Sequence, residues 1–151
     1  MMDRLDQLFH DVGEEFDVPL KPDHYGAGKL RIGSDLFIQI EYNKSKDWIT
    51  VLSFIGELPP GKFRENLLKT ALQVNHQQPQ DLRMGYSEKN NQLALFYNFP
   101  METASKEILV KAITDVVGKV RAWREGIATG NLSGFLNALP QKSSGFFGMS
   151  R

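Results

Sequence analysis

No cysteine occurs in the 151 residues, which removes disulfide scaffolds, thiolate nucleophiles and every cysteine-containing zinc or iron–sulfur site at once. Nor is there an excess of either charge. With 18 basic and 18 acidic side chains the formal net charge is zero, so no overall positive field is available to neutralise a phosphate backbone, and nucleic acid is not an expected partner. Long apolar runs are missing too. Met1 to Phe16 is interrupted by Asp3, Arg4, Asp6, Asp11, Glu14 and Glu15, a pattern that suits neither a secretory leader nor a membrane span, so the chain is expected to stay where it is made. What remains is 41% hydrophobic and 24% charged, the balance of an ordinary globular protein of one domain, with no internal repeat.

Periodicity orders the chain into eight main elements. Leu5, Leu8, Phe9, Val12 and Phe16 recur at helical steps after Asp3, a residue suited to capping, and Pro19 predicts a stop near Asp17. Leu30 and Ile32 begin a short strand near Lys29. Leu36, Ile38, Ile40 and Tyr42 alternate with Phe37, Gln39 and Glu41 in a second, the period of two expected when one face is drier, and Trp48 to Ile55, apolar in both alternate sets, predicts a third strand buried on both faces. Gly56 to Gly61 breaks the chain before a second helix carrying Phe63, Leu67, Leu68, Ala71 and Leu72, which ends before Pro79. Leu82, Met84 and Tyr86 alternate into a turn at Glu88 to Asn91, and Leu93, Leu95, Tyr97 and Phe99 alternate out as an antiparallel pair. After Pro100, a cap at Thr103 or Ser105 opens a third helix whose apolar stripe runs from Ile108 to Ile127. Leu132 to Leu139 suits one more short helix, and Pro140 to Arg151, rich in Gly, Ser and Lys, reads as a mobile extension holding Phe146 and Phe147.

Reactive constellations are scarce. Gly26-Ala27-Gly28-Lys29 has the glycines of a phosphate-cradling loop, but Asp23 stands where the nucleotide loop needs glycine, Leu30 where it needs Ser or Thr, and Arg31 where a dinucleotide fingerprint needs glycine. The segment also leads into a strand, so it reads as a plain turn. His10, His24 and His76 lack metal-ligand spacing, and the serines around Gly33-Ser34-Asp35 and Ser143-Ser144-Gly145 lack a nucleophile elbow. Glu14, Glu15 and Asp17 read as a solvated face rather than a catalytic pair. Lys111, Lys119, Arg121 and Arg124 are interspersed with Asp115 and Glu125 and likewise read as solvated, while the glycosylation triplets at Asn43 and Asn131 read as coincidence. No catalytic residue, metal or cofactor is expected.

The order helix, three strands, helix, two strands, helix combines with particular joints: Val18-Pro19-Leu20, Gly56-Glu57-Leu58-Pro59, Leu67-Leu68-Lys69-Thr70-Ala71-Leu72-Gln73-Val74-Asn75, the hairpin Leu82 to Phe99 with Pro100, and Ala122-Trp123-Arg124. Together they resemble the class I type III secretion chaperones, the Tir chaperone family, over roughly Leu5 to Ile127. Each motif is degenerate, and the specificity lies in order and spacing. The resemblance implies an α+β fold, α-β-β-β-α-β-β-α, with helices packed on a twisted, mainly antiparallel sheet, in a homodimer of the bacterial cytoplasm. It further implies a chaperone-like domain over residues 1–128 and an extension over 129–151.

In function it implies a virulence-associated chaperone, not an enzyme, that binds the N-terminal segment of secreted effectors and keeps it export-competent. An extended segment can add to a sheet edge without any catalytic group. By position, Leu5, Phe9, Phe16, Leu30, Ile32, Leu36, Ile38 and Ile40 are implied to grip the effector, and Leu67, Leu68, Ala71 and Leu72 to form the dimer interface. Implied partners are those effector segments, a second copy of the chain and the export apparatus ATPase. Two other classes are weighed against it: a non-secretory regulatory or scaffolding protein with the same fold, and a small-ligand or enzymatic domain built on the glycine turn and His24.

Overall fold

The computed structural model describes residues 3–77 and 82–132. Helix α1 spans Arg4–Glu15, and Asp3 caps it by accepting a hydrogen bond from the Asp6 N–H at 2.8 Å, which satisfies a donor that the helix itself leaves unpaired. The helix ends two residues before Asp17. The chain turns at once because Gly13 lets it: a Cβ there would lie 2.6 Å from the Val18 carbonyl oxygen and 2.8 Å from Leu20 Cβ. Asp17 takes up the left-handed conformation (φ 60°) that completes the reversal.

Strands β1 (Ala27–Ile32), β2 (Leu36–Asn43), β3 (Trp48–Glu57), β4 (Arg83–Ser87) and β5 (Gln92–Pro100) form one sheet in the order β1-β2-β3-β5-β4, antiparallel throughout. This agrees with the expected α+β architecture. Helix α2 (Lys62–Gln77) joins β3 to β4, a single 3-10 turn at Met101–Thr103 follows β5, and helix α3 (Lys106–Thr129), capped by Ser105, lies across β3 with α1 beside it. Among the described residues no helix is long and apolar enough to cross a membrane. The region from residue 133 onward, where a short helix and an extension are expected, lies outside the described residues.

One sheet face carries the core. Leu30, Leu36, Ile38, Ile40, Ile49, Val51, Leu93 and Leu95 close against Phe9, Val12, Leu109, Ile113, Val116 and Val120, all of them buried. The third strand does not meet the expectation of burial on both faces. Ile49, Val51, Ser53 and Ile55 are buried, but Trp48 is exposed and Thr50, Leu52 and Phe54 are half-buried. No described helix is stacked on their side, so apolar content in both alternate sets means an open apolar face here.

A bulge in β3 between Phe54 and Gly56 frees carbonyl groups from the ladder. Arg124 of α3 meets them: its Nε donates to the Ile55 oxygen at 2.6 Å and its Nη2 to the Phe54 oxygen at 3.3 Å, while its Nη1 reaches the Asp35 oxygen in the turn before β2 at 2.7 Å. Arg124 therefore locks helix to sheet and does not belong to a solvated face, because the guanidinium fork fills the acceptors that the bulge leaves empty.

Candidate functional site

Five of the eight residues expected to grip a partner, Phe9, Leu30, Leu36, Ile38 and Ile40, are at most 1% exposed. They form the protomer's own core and present no surface to a second chain in this conformation. Leu5, Phe16 and Ile32 are half-buried at its rim and keep accessible apolar surface. The four expected interface residues divide the same way. Leu67 and Ala71 point into the core, Leu68 is half-buried, and Leu72 is 69% exposed on the outer side of α2. Periodicity puts residues on one helical face but does not say where the stripe's margin meets solvent.

The surface offers two sheet edges, and each is modified by one side chain. On the β4 edge, the Asn75 carboxamide of α2 accepts from the Met84 N–H and donates to the Met84 carbonyl, both at 2.8 Å. It satisfies the outward backbone groups of Met84, two of those that a further strand would use. On the β1 edge, Asp23 does the same for Ala27: its Oδ1 accepts from the Ala27 N–H at 2.9 Å and its N–H donates to the Ala27 oxygen at 2.8 Å. Asp23 Oδ1 also accepts from the Tyr25 N–H. These backbone donors, Ala27 first, hold the Asp23 carboxyl below its ordinary pKa. Beyond Ala27 the edge continues through Lys29 and Arg31. Because the Gly26 oxygen accepts from the Tyr42 N–H, residues 26, 28, 30 and 32 face β2, and the backbone groups of Lys29 and Arg31 face outward. Gly26 to Lys29 thus leads into an edge strand, and Gly28 is required there: a Cβ would sit 2.7 Å from Phe9 Cε2.

Mixed polar and apolar surface adjoins this edge. A cleft of roughly 720 Å³ lies between the start of α1 and the turn before β1, where Leu5, Tyr25 and Tyr42 alternate with charged residues, Asp6, Asp47 and Glu102 among them. Tyr25 is 80% exposed. Tyr42 Oη donates to Asp47 at 2.7 Å, and that bond pushes the phenol's pKa up. On the open sheet face Phe37 is 47% exposed, with Lys29 Nζ 5.4 Å and the Arg31 guanidinium 6.0 Å from its ring centroid. Sequence reasoning passed over Phe37 and Tyr25; their exposure is set by what the sheet leaves uncovered, which no local pattern encodes.

Several groups able to do chemistry have partners among the described residues. His10, Asp11 and Glu14 lie together on the outer side of α1, where His10 pairs with Glu14 at 3.5 Å and Asp11 accepts from Gln7. Ser53, the buried serine of the described residues, donates to the Phe37 oxygen at 2.7 Å. Tyr97 Oη donates to Asp115, which also pairs with Lys119.

The model of the Tir chaperone protein (CesT) family matches residues 7–124. No curated protein sequence matches the chain. Among solved structures, the HopA1-SchA chaperone-effector complex contains a chain similar at TM-score 0.66 and 18% identity, with 83% of this chain and 99% of that one covered. The ExsC-ExsE complex gives TM-score 0.66 at 13% identity, covering 83% and 97%. The Yersinia pestis type III secretion chaperone SycH, solved with a stable fragment of YscM2, gives 0.61 at 15% identity, covering 78% and 98%. At these identities what is shared is the fold.

Proposed function

Since the chain belongs to the Tir chaperone protein (CesT) family, we propose that it is a type III secretion chaperone that binds the N-terminal segment of a secreted effector in the bacterial cytoplasm and keeps it competent for export. The observation that carries this reading is the family match over residues 7–124, joined to an open β1 edge beside accessible apolar surface at Leu5, Phe37 and Tyr25. An extended segment gains main-chain hydrogen bonds at such an edge and buries alternate side chains, which needs no reacting group. Proteins with this fold have been solved as chaperone–effector complexes, the HopA1-SchA pair among them.

The functional unit in this reading is a homodimer. Leu72, exposed beside half-buried Leu68 on the outer side of α2, supplies its apolar centre, because a second copy of the helix buries surface that the protomer leaves wet. The export apparatus ATPase is a further proposed partner, met after the effector is bound. The deciding experiment is capture from the native bacterium on the purified full chain, followed by proteolytic mapping of what is bound. An N-terminal segment of a secreted protein is the expected result. Capture of folded cytosolic proteins alone would replace the chaperone by a regulator of the same fold.

A further inference from the structure

The two edges of the sheet are chemically unlike. Asn75 occupies Met84 on the β4 edge, leaving Tyr86 as the outward residue there, whereas on the β1 edge Asp23 occupies Ala27 and leaves two successive outward residues, Lys29 and Arg31, with no partner strand among the described residues. Past Ile32 the chain turns at Gly33, in the left-handed region at φ 64°, and the open stretch ends. The register of an added strand is thereby confined: its hydrogen-bonded residues stand opposite Lys29 and Arg31.

Side-chain chemistry follows from register. In paired strands, directly opposed residues project to the same face, so residues opposite Lys29 and Arg31 lie beside two cations and the exposed Phe37 ring. Neither cation forms an ion pair with a described residue; the Arg31 guanidinium donates to the Gly33 and Ser34 oxygens at 3.2 and 3.4 Å, which holds it at the end of the edge. The residue between them projects to the other face, toward half-buried Ile32 at the rim of the core. Resting on the chaperone reading above and its open β1 edge, we infer that Lys29 and Arg31 make this edge select an extended segment of the pattern acid–apolar–acid, its two carboxylates lying beside them. Local complementarity of this kind gives a neutral chain selectivity without a net charge.

The test uses the full chain, labelled with nitrogen-15, titrated at low salt with the peptide Ser-Thr-Val-Glu-Val-Glu-Val-Thr-Ser and with its counterpart bearing Lys for Glu. The amide signals of Lys29 and Arg31 are expected to move, that of Met84 to stay, and the Glu peptide to bind about tenfold more tightly, a preference that shrinks as salt rises. A Lys29→Glu, Arg31→Glu double variant should reverse the order of the peptides, and Lys29→Gln, Arg31→Gln should make them equal. Equal binding by the unaltered chain, no reversal, no binding, or movement at Met84 instead would overturn the inference. Capture from the native bacterium separates the two levels: if an effector segment is still captured while the peptides show no preference, the edge rule falls and the chaperone stands. If no effector segment is captured but the preference reverses as expected, the edge rule stands and the chaperone reading falls.

Discussion

At the scale of single residues, the fold depends on small contacts that leave little room. Gly28 faces Phe9 so closely that a valine there must displace the ring or the strand; Gly28→Val is expected to cost about 1–3 kcal/mol, read as a lower urea midpoint. The neighbouring turn carries a pH signature. Asp23 has its folded pKa lowered, so its contribution is present in full above the unfolded value and disappears as pH falls through the folded one. Asp23→Asn should therefore have a lower urea midpoint than the unaltered chain at neutral pH, with the gap closing in acid once both side chains are uncharged. Asp23 and Gly28 are legible as turn residues from the sequence alone. Their actual duties, blocking Ala27 and admitting Phe9, are not, because Phe9 is distant in sequence and reaches Gly28 only after α1 folds onto the sheet.

Elements were the most legible level. Every helix and strand among the described residues arises where periodicity places it, because a period of 3.6 or 2 is a local property of the chain. The stop of α1 falls close to the expected Asp17, but the burial of β3 differs from expectation, since it depends on whether anything covers the far face. Asn75 shows what an element needs beyond its stripe. It sits among the apolar residues of α2 as a polar exception, and its duty is to end the sheet at β4. Asn75→Ala leaves two backbone groups of Met84 without their partner and is expected to cost about 1–3 kcal/mol. Amide hydrogen exchange would show it as faster exchange at Met84 than at Leu95 on the neighbouring strand, and equal protection in the variant and the unaltered chain would refute the role.

For the whole molecule the question is assembly. Leu72→Asp puts a charge on the outer side of α2, where the isolated protomer has nothing to lose, so protomer stability should change by no more than about 0.5 kcal/mol. The mass measured by light scattering at micromolar concentration should nevertheless fall from that of a dimer to that of a monomer. A dimer that survives the substitution would move the interface off α2. Leu67→Asp, by contrast, would bury a charge in the core and unfold the protomer, which is why the two leucines five positions apart test different things.

The amino-acid sequence by itself determined the identity and order of the elements, the absence of cysteine chemistry and the family resemblance, because composition and short-range periodicity are carried by each stretch of chain separately. Tertiary structure decided which apolar residues are available to a partner. Phe9, Leu30, Leu36, Ile38 and Ile40 look as adhesive as Leu5 or Phe37 in the chain, and they differ only because α1 and α3 cover one face of the sheet and leave the other open. The strand order likewise decided that β1 and β4 are the edges, and Asn75 and Asp23, placed by that order, decided which outward backbone groups are left to bind. Burial and edge are relations between distant segments, and they exist only once the segments have met.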